Sequence, residues 1–187
     1  MNTPSLLITI SWCVFLCYWL ISAFGAKKTT SGVFRGLLVR VLLVAIVLVV
    51  FRERSFTAFG EHHFVGSSSP TVSALGVILC VMGVAFAIWG RWNIGKNWGM
   101  PMSVKENPEL VTSGPYSYVR HPIYAGVLSA MLGSALVVGN WWIGFVVIFG
   151  LYFIYSSRSE EKLMAQTFPG QYPQYKQRTK TMIPFVW

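Results

Sequence analysis

Two polar stretches in an otherwise apolar chain carry the residue types that could do chemistry. The first runs Leu110-Val111-Thr112-Ser113-Gly114-Pro115-Tyr116-Ser117-Tyr118-Val119-Arg120-His121-Pro122-Ile123-Tyr124, and the second is Arg158-Ser159-Glu160-Glu161. Arginine and histidine can hold a carboxylate, and glutamate can accept from an ammonium or a ribose hydroxyl. Tyr116, Tyr118 and Tyr124 can stack on a purine or lie against a sulfonium. Pro122 fixes a helix start and leaves backbone N–H groups nearby for an anion. The set suits a zwitterionic, nucleoside-bearing ligand. It would equally suit an ordinary cytoplasmic charge belt with interfacial tyrosines, and the residue types alone leave both readings open.

The elements that must position these residues are membrane helices. The chain has 187 residues, of which 54% are hydrophobic and 11% charged, against roughly 25% charged in a soluble domain. Leu6 to Phe24, Val33 to Phe51 and Thr71 to Gly90 are apolar runs of about the length that spans a hydrocarbon core. The first has no basic n-region and no small-residue cleavage site, so it reads as a retained span. Arg40 lies inside the second run and can snorkel to the interface. Arg52 to Pro70 reads as a polar loop containing His62 and His63, which as sequence neighbours share no helix face. Trp92 to Arg120 is too punctuated by Gly and Pro for a lipid-exposed span. Pro122 to Tyr155 reads as a tight helical hairpin with Asn140 at its turn and Trp141 and Trp142 near the outer interface. The hairpin is expected to end near Arg158, which brings Arg120, His121, Arg158, Glu160 and Glu161 to one membrane depth. Charges at the mouth of a helix bundle mark a candidate functional site.

These elements predict an all-α integral membrane bundle of about five transmembrane helices, its last two forming a hairpin. One domain is expected over 1–187: the first three helices over 1–91, then an interfacial loop, hairpin and tail forming the site over 92–187. The net charge of +9 does not call for nucleic acid, because the basic residues sit at the ends of apolar runs. Lys27, Lys28, Arg35, Arg91, Lys96, Lys105, Arg120, Arg158, Lys162, Lys176, Arg178 and Lys180 fall on one side, with only Arg52 and Arg54 clearly on the other. The positive-inside rule then puts the N-terminus outside and the C-terminus, with the site, in the cytoplasm. Cys13, Cys17 and Cys80 have no metal-type spacing, and no metal is expected. The partners expected are the bilayer and a lipophilic small molecule, with no obligate protein partner.

The order of residues carries more than their types. Ser113-Gly114-Pro115-Tyr116, followed by Val119-Arg120-His121-Pro122-Ile123-Tyr124-Ala125-Gly126, resembles the signature of the isoprenylcysteine carboxyl methyltransferase family, a group that also includes phospholipid methyltransferases. A second block follows in the right order: Glu160-Glu161, Phe168, Gly170, Tyr172, Tyr175-Lys176, Arg178 and Pro184-Phe185. The resemblance covers roughly the C-terminal half. It implies S-adenosylmethionine bound from the cytoplasmic side by Pro108, Glu109, Leu110, Val111, Tyr116, Arg120, His121, Pro122, Ile123, Tyr124 and Glu160. It implies methyl transfer to a lipophilic acceptor, an isoprenylcysteine-type carboxylate first, with a phospholipid amine or a thiol as alternatives. The family's eukaryotic members carry a substrate-side arginine four residues before the glutamate, where this chain has Ser156. Arg158 and Arg91 are the candidates to hold an acceptor in its place. Glu161 or His121 is the candidate base for an amine.

A chain of this kind needs no Rossmann turn, and none is present; it has no aspartate at all. Two other classes compete. Sterol-type reductases use NADPH and share an RHPxY-like ending but need a longer chain. A non-enzymatic membrane protein would use the hairpin as a docking face and tolerate His121→Ala.

Overall fold

A computed structural model describes residues 3–23, 29–31, 69–99, 104–139 and 142–183. Numbered in chain order over these residues, the helices are α1 (Thr3–Ala23), α2 (Pro70–Ile94), α3 (Pro122–Val138), α4 (Trp142–Thr167) and α5 (Tyr172–Arg178). Two short strands, β1 (Thr29–Ser31) and β2 (Val104–Lys105), pair antiparallel. Among the described residues three helices are long and apolar enough to cross a membrane, at Thr3–Ser22, Pro70–Asn97 and Trp142–Thr167. The protein is a helical integral membrane protein. The expected span Val33–Phe51 with Arg40, the loop residues His62 and His63, Asn140, Trp141, and residues 184–187 lie outside the described set.

Helices α2 and α3 are antiparallel and pack closely because glycine recurs at seven-residue intervals along the seam. Gly76, Gly83 and Gly90 line α2, and Gly126 and Gly133 line α3. A Cβ at Gly83 would stand 2.5 Å from Ala130 N and 2.6 Å from the Gly126 carbonyl; one at Gly126 would stand 2.7 Å from Ala87 N. Backbone therefore meets backbone, the small-residue solution for helices that gain nothing from excluding water. A seven-residue recurrence keeps this seam facing its partner along the whole pair.

Helix α1 packs across this pair through Ile8 and Phe15, against Cys80, Val84, Ala87, Ala130 and Val137. Trp12 donates Nε1 to Ser134 Oγ at 3.0 Å, and Ser134 donates in turn to the Ala130 carbonyl at 2.9 Å. Both polar groups are thus satisfied inside the bundle, where an unpaired one would be costly.

The hairpin forms, with one correction to its extent. Helix α3 starts at Pro122 and ends before Gly139, whose φ of +145° suits a residue without Cβ. Helix α4 then runs antiparallel to it, so that Ser156 and Glu160 lie beside Tyr124 at the start of α3. The sequence reading ended this hairpin near Arg158. The helix instead continues to Thr167, because no proline or glycine interrupts the chain between Gly150 and Pro169. Glu160 and Glu161 therefore sit on a rigid helix rather than at the start of a loose tail.

Candidate functional site

The site lies where the start of α3 meets the last turns of α4. Gly114, with φ +59° and its Cα against the Asn93 side chain, turns the chain into a short 3₁₀ helix, Gly114–Ser117, ahead of α3. That turn buries Pro115 and Tyr116. His121 then caps α3, and Pro122 packs against Gly90 of α2.

Two carboxylates on adjacent positions of α4 face this start. Glu160 Oε1 accepts from Tyr124 Oη at 2.5 Å and from Ser156 Oγ at 3.0 Å. Its Oε2 approaches His121 Nδ1 at 3.6 Å, which is too long for a hydrogen bond. Glu161 Oε1 accepts from Arg120 Nε at 2.8 Å and lies 3.7 Å from His121 Nε2, while its Oε2 takes Lys176 Nζ at 2.7 Å. His121 is thus flanked by both glutamates, and its buried Nε2 has no hydrogen-bond partner. The imidazole is stacked on Tyr124, with centroids 5.4 Å apart and planes at 2°. Tyr124 is stacked on Phe153 at 4.3 Å and 6°. Three near-parallel rings thus stack beside two carboxylates, Glu161 matched by two cations and Glu160 held by two hydroxyls.

The segment after α5 closes one flank. Lys180 pairs with Val119 as an isolated parallel bridge, and Arg120 N–H and His121 N–H donate to the Lys180 and Thr181 carbonyls at 2.8 and 3.0 Å. Tyr175 Oη donates to the Tyr116 carbonyl at 2.7 Å. Burial pushes the hydroxyls of Tyr116, Tyr172 and Tyr175 well above the ordinary tyrosine range, so all three stay neutral donors. A cavity of about 360 Å³ opens beside this segment, lined by Leu110, Thr112, Ser117, Gln171, Gln174, Tyr175, Arg178 and Thr179. It falls within the range of about 300–1,000 Å³ usual for small-molecule sites.

Of the residues singled out from sequence, Arg120, His121, Tyr124, Glu160 and Glu161 come together here. Tyr116 is buried beside them, and Ile123 packs towards Gly90. Leu110 lines the neighbouring cavity, while Pro108 and Val111 are half-buried and Glu109 is exposed, accepting from Asn97 at 3.2 Å. Arg158 is exposed and outside this set of ion pairs. Arg91 is buried at the end of α2, donating to the Gly95 carbonyl at 2.8 Å and to the Ser22 carbonyl at 2.5 Å, with its guanidinium 4.7 Å from the Trp98 ring centre. Its Nε has no partner. Sequence reasoning gave no site role to Ser156, Phe153, Lys176, Thr179 or Thr181. The Ser156–Glu160 pair did carry a signal, since residues four apart share a helix face.

Comparison with known proteins bears on this arrangement. The pattern of the family described as phospholipid methyltransferase matches residues 71–171, more than half of the chain. The chain belongs to the phospholipid methyltransferase family. The match takes in α2, α3, α4 and every residue of the ring-and-carboxylate cluster. Among relatives, protein-S-isoprenylcysteine O-methyltransferase B of Arabidopsis thaliana is 27% identical over 175 residues, covering 89% of this chain and 84% of that protein. A cobalt-zinc-cadmium resistance protein of Cupriavidus metallidurans is 32% identical over 116 residues, covering 60% of this chain and 51% of the relative. Protein-S-isoprenylcysteine O-methyltransferase of Schizosaccharomyces pombe is 31% identical over 96 residues, 49% of this chain and 41% of that one. The chain thus spans about half or less of the latter two relatives.

Proposed function

We propose that this family member transfers a methyl group from S-adenosylmethionine to a lipophilic acceptor partitioned in the membrane. The observation that carries the reading is the 2.5 Å hydrogen bond from Tyr124 to Glu160, which joins the two sequence blocks into one polar, ring-lined site at the end of apolar helices. The residues present fit the donor: a carboxylate with one oxygen engaged and one left for a cation, buried imidazole nitrogen without a partner, and parallel rings for a sulfonium or purine. When bound, S-adenosylmethionine supplies an electrophilic methyl on a sulfonium.

The chain's own work is positioning. Glu160, fixed through Oε1 by Tyr124 and Ser156, presents Oε2 to an ammonium. The His121–Tyr124–Phe153 stack lies beside this carboxylate, and Leu110 with its neighbours forms the adjoining wall. Holding two reactants in near-attack geometry is worth about 7–11 kcal/mol. The site end faces the cytoplasm in this reading, so the water-soluble donor enters from that side and the acceptor from the bilayer.

An isoprenylcysteine-type carboxylate is the first acceptor class, supported by the near full-length likeness to the Arabidopsis enzyme. A phospholipid amine is the second, favoured by one observation. The position four residues before Glu160 is uncharged Ser156, and Arg120 is already engaged with Glu161, so a carboxylate would depend on Arg91 or Arg158. For an amine acceptor His121 is the better candidate base, because Glu161 is held by two cations.

Calorimetric titration of the detergent-purified protein with S-adenosylhomocysteine tests the donor. Saturable binding is expected in the wild type and lost in His121→Ala and Glu160→Ala. Folded wild type that binds nothing would sink the reading and promote an NADPH-dependent reductase or a non-enzymatic role. Methyl transfer to a prenylated cysteine against phosphatidylethanolamine vesicles then separates the two acceptor classes.

A further inference from the structure

Arg120 stands in the middle of the signature block and invites the role of a ligand-binding cation, yet its contacts point elsewhere. The side chain is 7% exposed. Nε donates to Glu161 Oε1 at 2.8 Å; Nη1 donates to the Thr179 carbonyl and, at 3.3 Å, to the Lys176 carbonyl; Nη2 donates to Thr181 Oγ1 at 2.9 Å. Each of the three guanidinium nitrogens is therefore engaged with the chain itself. The partners come from two places: one carboxylate on α4, and three residues of the segment that follows and includes the end of α5. The backbone on either side repeats the connection, because Tyr118, Arg120 and His121 form a strand-like pairing with Lys180 and Thr181.

The structure assigns Arg120 the role of a positioning residue that straps the 176–181 segment to Glu161 and thereby sets the carboxylate facing His121, without touching the ligand itself. Three features support this. The guanidinium could not turn to an incoming anion without giving up Thr179, Thr181 and Glu161 together, each a charge-assisted or buried hydrogen bond. Lys176, on the strapped segment, takes the other Glu161 oxygen at 2.7 Å, so the carboxylate is fixed on one side by Arg120 and on the other by the segment that Arg120 straps. Tyr175 ties the same stretch to the Tyr116 carbonyl, so releasing it would loosen the 3₁₀ turn that leads into His121. A lysine at 120 would keep the charge and lose the fork, since a single ammonium cannot reach acceptors spread over α4 and three tail residues. The proposed function enters only in naming what the site binds.

The test measures amide hydrogen exchange of peptides covering residues 172–183 in the full-length, detergent-purified protein, beside S-adenosylhomocysteine affinity. Arg120→Lys and Glu161→Gln are expected to speed exchange in this segment about tenfold or more, with affinity falling alongside. Thr181→Val, which leaves Arg120 in place and serves if the other variants misfold, should speed it by a smaller factor. His121→Ala should lower affinity with the segment still protected. Loss of affinity in Arg120→Lys with wild-type exchange would make Arg120 a ligand contact and overturn the assignment. So would unchanged exchange in Arg120→Lys and Thr181→Val. A wild type that binds no S-adenosylhomocysteine defeats the methyltransferase reading, while the exchange result still decides the role of Arg120.

Discussion

At the scale of single residues, Tyr124 does two separable jobs. Its ring fills the stack between His121 and Phe153, and its hydroxyl holds Glu160. Tyr124→Phe keeps the first and removes the second, so S-adenosylhomocysteine affinity is expected to fall about tenfold while the thermal midpoint in detergent moves little. Ser156→Ala should cost less, because Tyr124 still orients the carboxylate; calorimetry on both variants checks the order. A larger loss in Ser156→Ala would make the serine the principal support. The neighbourhood of His121 with Glu160 and Glu161 was legible in the sequence, since a hairpin between two polar blocks brings its ends together. The engagement of Arg120 was not. It depends on the path of the chain after Pro169, where no hydropathy pattern dictates that the backbone should return alongside Val119.

At the scale of elements, the bundle is held by a seam in which glycine lets two backbones meet. Gly83→Ala would put a methyl against backbone atoms of Gly126 and Ala130 that have nowhere to move. A loss of about 1–3 kcal/mol is expected, visible as a lower unfolding midpoint. Gly144→Ala meets nothing within 4 Å and should be tolerated or slightly stabilising through better helix propensity, by up to about 1 kcal/mol. Equal effects of the two would mean that the seam is not what holds α2 to α3. The recurrence of glycine every seven residues stands in plain view in the sequence, but hydropathy averages over it and registers only length and apolarity. The extension of α4 to Thr167 was missed, although no breaker stands before Pro169, because the residues shift from apolar to charged near Arg158. Composition changes where the helix leaves the hydrocarbon; the hydrogen-bonding pattern does not.

At the scale of the whole molecule, the asymmetry of basic residues makes a prediction about sidedness. A cysteine introduced at Gln174, which is exposed on α5, should react with a membrane-impermeant maleimide only after intact cells are permeabilised. One at Asn2 should react without permeabilisation, with native Cys13 and Cys17 replaced by serine in both cases. The opposite pattern would invert the topology and move the site to the outer face.

The glycine seam has a consequence for traffic through the bundle. A molecule arriving sideways from the lipid needs two helices to part. At the centre of the α2–α3 seam, around Gly83, Gly126 and Gly133, main chain meets main chain, whereas α4 meets α3 through side chains, with the first atom near a Cβ at Gly150 being Leu128 Cδ2 at 4.0 Å. Side chains can rotate where main chain cannot. If the acceptor proposed above arrives from the lipid, the side-chain contact along α4, the helix that carries Glu160 and Glu161, would part more readily than the centre of the α2–α3 seam.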